Sequence, residues 1–254
     1  MEMNLLPGFA DISVAQLLLV AAVALFASIV GGVAGYGTGA LMPLVLVPLV
    51  GPGPVVPIIA ISAMFSNTSR TLAFLGYVDW RRGVISLIAS IPLCVFSAWG
   101  YTRLSSAGAA LVIGAMLIVS VPLRRHAKRR DIRIGDKGLA VGSVAYGIVV
   151  GGTVGSGVIL LSLLMAAGLE GAGVIATDAV ISIVIGAVKI LVFGLSGIID
   201  AQVVAFALLI GIVALPGAFL ARAFVERMPV HVHTAILDVV VLIGGATLVF
   251  SAFR

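Results

Sequence analysis

Between Asp11 and Arg70 the chain carries no charged side chain, a run of 58 residues from position 12 to position 69. As a helix at about 1.5 Å per residue, that run would extend roughly 87 Å, nearly three times the ~30 Å hydrocarbon core of a bilayer. It must cross or re-enter a membrane more than once. The rest of the chain has the same character: 61% of its 254 residues are hydrophobic and 10% are charged, where a soluble domain carries roughly 25%.

Several classes fall away at once. Cys94 is the single cysteine, so no intramolecular disulfide forms, and no Cys/His spacing suits zinc or haem. Neither a metal nor a cofactor is expected. The net charge of +5 does not point to nucleic acid, because seven of the fifteen Lys/Arg (Arg124, Arg125, Lys128, Arg129, Arg130, Arg133, Lys137) fall in one short stretch. That is a topology signal. The chain opens Met-Glu-Met-Asn without a basic n-region, so a cleaved signal peptide is not expected.

Charges and Gly/Pro clusters divide the chain into apolar segments at 12–35, 38–50, 54–76, 83–102 and 105–123, then a basic linker at 124–137, then segments at 138–152, 156–168, 173–195, 201–220 and 233–252. In a bilayer such segments must be helical, since a helix satisfies its own backbone and no strand alternation supports a barrel. The expectation is an all-α polytopic membrane protein.

The two sets of five resemble each other. Gly37-Thr38-Gly39 matches Gly155-Ser156-Gly157; Ala60 and Ala63 match Ala176 and Ala179; Arg70 and Phe74 match Lys189 and Phe193; Gly76-Tyr-Val-Asp79 matches Gly197-Ile-Ile-Asp200. Four matches in the same order, with offsets between 116 and 121 residues, indicate an internal duplication. Residues 1–123 form the first repeat and 138–254 the second. With the linker placed in the cytoplasm and five segments per repeat, Arg81, Arg82, Arg222 and Arg227 also fall inside, leaving Arg103 and Arg254 outside. The positive-inside rule therefore favours inverted repeats. Segments 38–50, 138–152 and 156–168 are too short for comfortable spans and are predicted to be limbs of re-entrant or broken-helix hairpins.

A bend at membrane depth is tolerated where it is buried in protein or lines a wet cavity. Gly35-Tyr36-Gly37-Thr38-Gly39 and Gly151 to Gly157 are such bends, each leading into a helix whose first N–H groups attract anions, with Thr38 and Ser156 placed to cap it. Packing of small residues is the plainer reading. Arg70 and Lys189 sit inside apolar segments, where a central basic residue costs a few kcal/mol. They can face a buried anion, Arg70 as a planar fork and Lys189 as a point charge, or they can snorkel or pair for packing. Ser66 and Asn67, within one turn of Arg70, can donate to the same oxyanion or join helices. Asp178 and Asp238 are embedded acids and candidates for proton coupling. Asp178 and Lys189, eleven residues apart, share a helix face but lie about 16 Å apart along it. His231 and His233, before the last segment, are expected in a loop or helix start.

This pattern resembles the sulfite exporter TauE/SafE family of bacterial membrane proteins. The likeness spans about Ser13 to the end and rests on Gly35-Tyr-Gly-Thr-Gly-Ala-Leu-Met-Pro43, on Gly-Tyr-Val-Asp-Trp-Arg81, and on the Gly-rich stretch 151–157. Gly155-Ser-Gly-Val-Ile-Leu lacks the Pro of the first motif. The resemblance implies movement of sulfur oxyanions or organosulfonates. The expectation is a secondary transporter of the bacterial inner membrane that alternates access to a small anion held at the midplane. Its expected partners are the lipid bilayer, the anionic substrate and a further copy of the chain. A passive anion channel is the near alternative. A serine hydrolase, with Ser156 as nucleophile and His231 or His233 as base, is disfavoured because Val154 stands where a nucleophile elbow requires Gly.

Overall fold

The computed structural model describes residues 7–9, 12–34, 37–127, 133–217 and 230–253, with the side chains at 7, 30–34, 37, 124–127 and 230–240 outside that description. Every regular element among the described residues is helical. The first half contains α1 (Val14–Ala34), α2 (Gly37–Val50), α3 (Val55–Phe74), α4 (Trp80–Tyr101) and α5 (Ser106–Ala127). The second contains α6 (Asp136–Val150), α7 (Gly157–Ala166), α8 (Ala172–Leu195), α9 (Ala201–Ala214) and α10 (Val230–Ser251). Four stretches, Val55–Tyr77, Trp80–Tyr101, Ser106–Leu123 and Ala172–Leu195, are long and apolar enough to cross a bilayer.

The boundaries differ from the sequence reading in places. α5 runs four residues into the basic stretch, because nothing in Arg124 to Ala127 breaks a helix once it has left the apolar core. α6 starts earlier, at Asp136, whose carboxylate suits a helix N-terminus. α7 has only 10 residues, and positions 218–220 of the expected ninth segment lie outside the described residues.

Surface chemistry suits lipid. Leu72, Ile88, Phe96, Val141 and Leu191 point outward with more than three-fifths of their surface exposed, an apolar belt that water would penalise and hydrocarbon accepts. Asn67, Asp178, Thr177 and Lys189 are buried instead.

The helix pairs have a regular pattern. α3 packs on α8, and α5 on α10; α3 also packs on α9, and α4 on α8; α4 lies along α6, and α1 along α9; α1 pairs with α2, and α6 with α7. Exchanging α1–α5 for α6–α10 maps this set of pairs onto itself. The α5/α10 crossing is held close by glycine: a Cβ on Gly114 would stand 2.8 Å from the Gly245 carbonyl oxygen, and one on Gly245 3.0 Å from that of Gly114. Small residues permit such backbone approach in membranes.

Loops fix the two ends of the bundle. At one end Arg81 pairs with Asp136, the Ile134 amide donates to the Ala166 carbonyl at 2.8 Å, and the Asp79 amide donates to Thr177 Oγ1 at 2.9 Å. This brings together the α3–α4 turn, the head of α6, the end of α7 and the head of α8. At the other end the Tyr101 hydroxyl donates to the Pro52 carbonyl at 2.8 Å, the Tyr101 ring meets Phe193 edge-on at 6.0 Å, and Phe9 meets Phe206 at 5.2 Å. Hence α1 starts and α2 finishes at this second end, while α6 starts and α7 finishes at the first. Asp79 and Asp200, matched in the sequence, do one job twice: Asp79 Oδ1 accepts from the Arg82 amide at 2.9 Å, and Asp200 Oδ1 from the Val203 amide at 2.8 Å. Each caps the next helix.

Candidate functional site

On α8, Asp178, Ser182, Ile185, Gly186 and Lys189 recur at helical spacing and form one stripe; on α3, Ala60, Ala63, Ser66, Asn67 and Arg70 form another. The helices run antiparallel. Gly186 faces Ala60 and Met64, and Arg70 reaches Asp178 with Nη1 3.2 Å from Oδ2. Between the two stripes lies a cavity of about 160 Å³. Since ~10–15 Å³ of such space already admits one water, it has room for a small oxyanion with waters.

The head of α2, through Thr38 and Gly39, and the bend between α6 and α7, through Thr153 to Gly157, border this cavity. They touch there: a Cβ on Gly39 would stand 2.7 Å from the Gly155 amide nitrogen. Gly155 turns the chain with φ of 75°, a left-handed conformation that glycine adopts without steric cost. Of the residues expected to bind, Arg70, Lys189, Thr38, Gly39, Gly155, Ser156, Gly157, Ser66 and Asn67 line the cavity, as does Asp178. Gly37 heads α2, and its surroundings lie outside the described residues. Asp238, His231 and His233 lie on α10 in the stretch whose side chains are outside the description.

Three expectations need correction. Arg70 and Lys189 do not stand as a pair of free cations. The Arg70 guanidinium is paired with Asp178 and donates through Nη2 to Asn67 Oδ1; the side chains of Arg70 and Asp178 are 13% and 2% exposed. Burying an unpaired guanidinium would cost several kcal/mol, and the antiparallel register sets Asp178 level with Arg70 to prevent it. Lys189 donates from Nζ to the carbonyls of Val150 at 2.9 Å and Thr153 at 3.0 Å. These carbonyls belong to the C-terminal end of α6 and its turn, where helices leave acceptors without partners and favour cations. Lys189 is 7% exposed and holds the bend in place.

The capping roles also fail. Ser156 precedes α7 with φ −70° and ψ −8°, and its side chain makes no cap hydrogen bond; it already has the helical conformation, so its hydroxyl is not aimed at the next turn. Thr38 lies inside α2, which begins at Gly37, so it is past the capping position. The first amides of α7 are therefore not covered by the Ser156 hydroxyl.

The sequence reading missed Ser28, Tyr146, Thr153 and Ser182 as cavity residues. Ser182 was legible as the fourth residue after Asp178 on the same face, and Thr153 belongs to the Gly-rich bend. Ser28 and Tyr146 had no signal, since long-range packing alone brings them in.

The profile of the family described as Sulfite exporter TauE/SafE matches residues 20–248. No curated protein gives a significant match, and no solved structure does.

Proposed function

The chain belongs to the sulfite exporter TauE/SafE family of multi-pass membrane transporters of sulfur anions, and on that premise we propose that it moves sulfite or an organosulfonate by alternating access. The guest sits in the cavity between α3, α8 and the two bends. The observation that carries this reading is that the head of α2, the bend between α6 and α7 and the embedded bases border one small cavity. The Arg70–Asp178 pair is neutral, so Lys189 supplies the net positive charge. The amides that open α2 and α7 add donors aimed by the helix dipoles, and the hydroxyls of Ser66 and Ser182 complete a polar lining.

The two halves act as inverted repeats that rock about the cavity, as in transporters with broken helices at a pseudo-two-fold axis. Supporting this, the hairpins start from opposite ends of the bundle, and the principal helix pairs are unchanged by exchange of the halves. The end bearing Arg81, Arg82 and the linker faces the cytoplasm of a bacterial inner membrane, in keeping with the positive-inside rule. No nucleotide-binding Gly-x-x-x-x-Gly-Lys motif occurs in the sequence, so ion or substrate gradients drive the cycle.

A ligand-stabilisation screen tests the reading. Ligand at 100-fold its Kd stabilises the folded state by about 2.7 kcal/mol. Sulfite, thiosulfate or a sulfonate should raise the melting temperature of the purified protein while acetate does not, and Lys189→Met should cancel the shift. Equal shifts in the variant, or none with any sulfur anion, would refute it.

A further inference from the structure

The carboxylate of Asp178 has one oxygen engaged and one idle. Oδ2 takes Arg70 at 3.2 Å. Oδ1 is buried, and no donor among the described residues reaches it. The residue is 1% exposed and borders the cavity that both bends line. A buried carboxylate oxygen without a donor is costly, and an embedded acid beside a wet cavity is suited to carry protons.

The geometry points to Asp178 as a proton site that competes with the transported anion for Arg70. This rests on the transport reading above. A carboxylate and a sulfur oxyanion ask for the same thing, oxygen acceptors against a guanidinium fork. While Asp178 is ionised it occupies Arg70, and Lys189 alone gives the cavity net charge. On the open side, water delivers a proton to Oδ1, an O–H bond forms, and the neutral acid releases Arg70 to the guest. Arg70 and Lys189 then both face it, a charge of two that matches a doubly charged oxyanion. On the opposite side the guest leaves, Asp178 returns its proton to water, and the Arg70 pair re-forms. One proton thus crosses with each anion.

The charged and titratable groups around Asp178 are consistent with this exchange. Arg70 on α3 contacts it. Tyr146 on α6 shares the cavity wall and belongs to the same buried cluster as Cys94 on α4. The Asp79–Arg82 pair heads α4 beyond the neighbouring Thr177, and Lys189 lies eleven residues along α8. Among the described residues none but Arg70 contributes an ion pair to the carboxylate.

The test uses the full chain in proteoliposomes with radiolabelled sulfite as probe and protein-free vesicles as the background. Wild-type protein should exchange sulfite, and an imposed inward proton gradient should concentrate the label several-fold. Asp178→Asn, whose amide holds no transferable proton, should make sulfite exchange, at whatever rate the variant retains, indifferent to the imposed proton gradient. An Asn variant that still concentrates sulfite as the wild type does would overturn the proposal, since the proton would then travel on the sulfite itself. If the Asn variant cannot be recovered folded, or no longer exchanges, Asp178→Glu replaces it: the response should persist at a slower exchange rate, and its loss would overturn the proposal. Wild-type exchange that ignores the proton gradient would overturn it while leaving transport standing. No wild-type exchange at all would overturn the transport reading and this proposal with it.

Discussion

Replacing Gly39 with Ala puts one methyl group where the two bends touch. That Cβ would lie 2.7 Å from the Gly155 nitrogen and 3.0 Å from its Cα. Ordinary contact begins near 3.4 Å, so the bends must separate by about 0.7 Å, the difference between those distances. The obstacle is backbone, which cannot turn away as a flexible side chain would. Gly155 is also pinned at φ 75°. Gly39 lies within α2, where Ala is intrinsically better than Gly by roughly 0.8–1.0 kcal/mol; overpacking of this kind costs about 1–3 kcal/mol. The balance is a net cost between zero and about 2 kcal/mol, so the variant should still fold, with a melting temperature lowered by at most several degrees. Function should suffer more, because displacing positioning groups by about 1 Å can cost on the order of 100-fold. Sulfite counterflow in proteoliposomes should fall at least tenfold, whereas Gly100→Ala, with nothing within 4 Å of its added Cβ, should leave it unchanged. Gly39→Ala exchanging within twofold of wild type would refute the claim that the touching bends form the site.

Arg70→Ala strands the Asp178 carboxylate and should destabilise the protein by roughly 3–5 kcal/mol, while the double neutral change Arg70→Gln with Asp178→Asn should cost clearly less; unfolding in denaturant decides, and equal costs would show the pair is uncoupled. Gly114→Leu should lower the melting temperature and so should Gly245→Leu, because each closes the same α5/α10 gap; a tolerated leucine at either position would mean the helices do not cross there. Asp136→Asn breaks a pair whose side chains are 79% and 41% exposed, so it should change stability by less than about 1 kcal/mol, measured at low and high salt. A larger loss would place that loop in the folding core.

The helical architecture and the bend at Gly151 to Gly157 were legible because the bilayer allows few solutions: long uncharged runs must be helices, and a Gly-rich break inside one must be sheltered. Arg70 and Lys189 announced themselves for the same reason, as charges too deep to be idle. Their partners were less visible. Spacing along α8 shows only that Asp178 lies too far from Lys189 to pair with it, whereas the contact that matters crosses to α3, and antiparallel register between helices over a hundred residues apart leaves no local trace. Lys189 reaching back to the end of α6 is equally non-local. Asp79 and Asp200 illustrate the opposite case: a repeated motif whose explanation is a helix cap fixed within three residues. Thr38 and Ser156 had the residue type of a cap, but the actual start of α2 and the backbone angles at Ser156 withheld the role.

An anomalous-scattering experiment locates the guest without relying on transport. Crystals of the full-length protein soaked in selenite, a heavier analogue of sulfite, should show a selenium peak in the cavity within hydrogen-bonding reach of Lys189 or Arg70 and close to the bend at Gly155 to Gly157. A peak confined to the outer surface, with the cavity empty at concentrations that saturate sulfite exchange, would contradict the account.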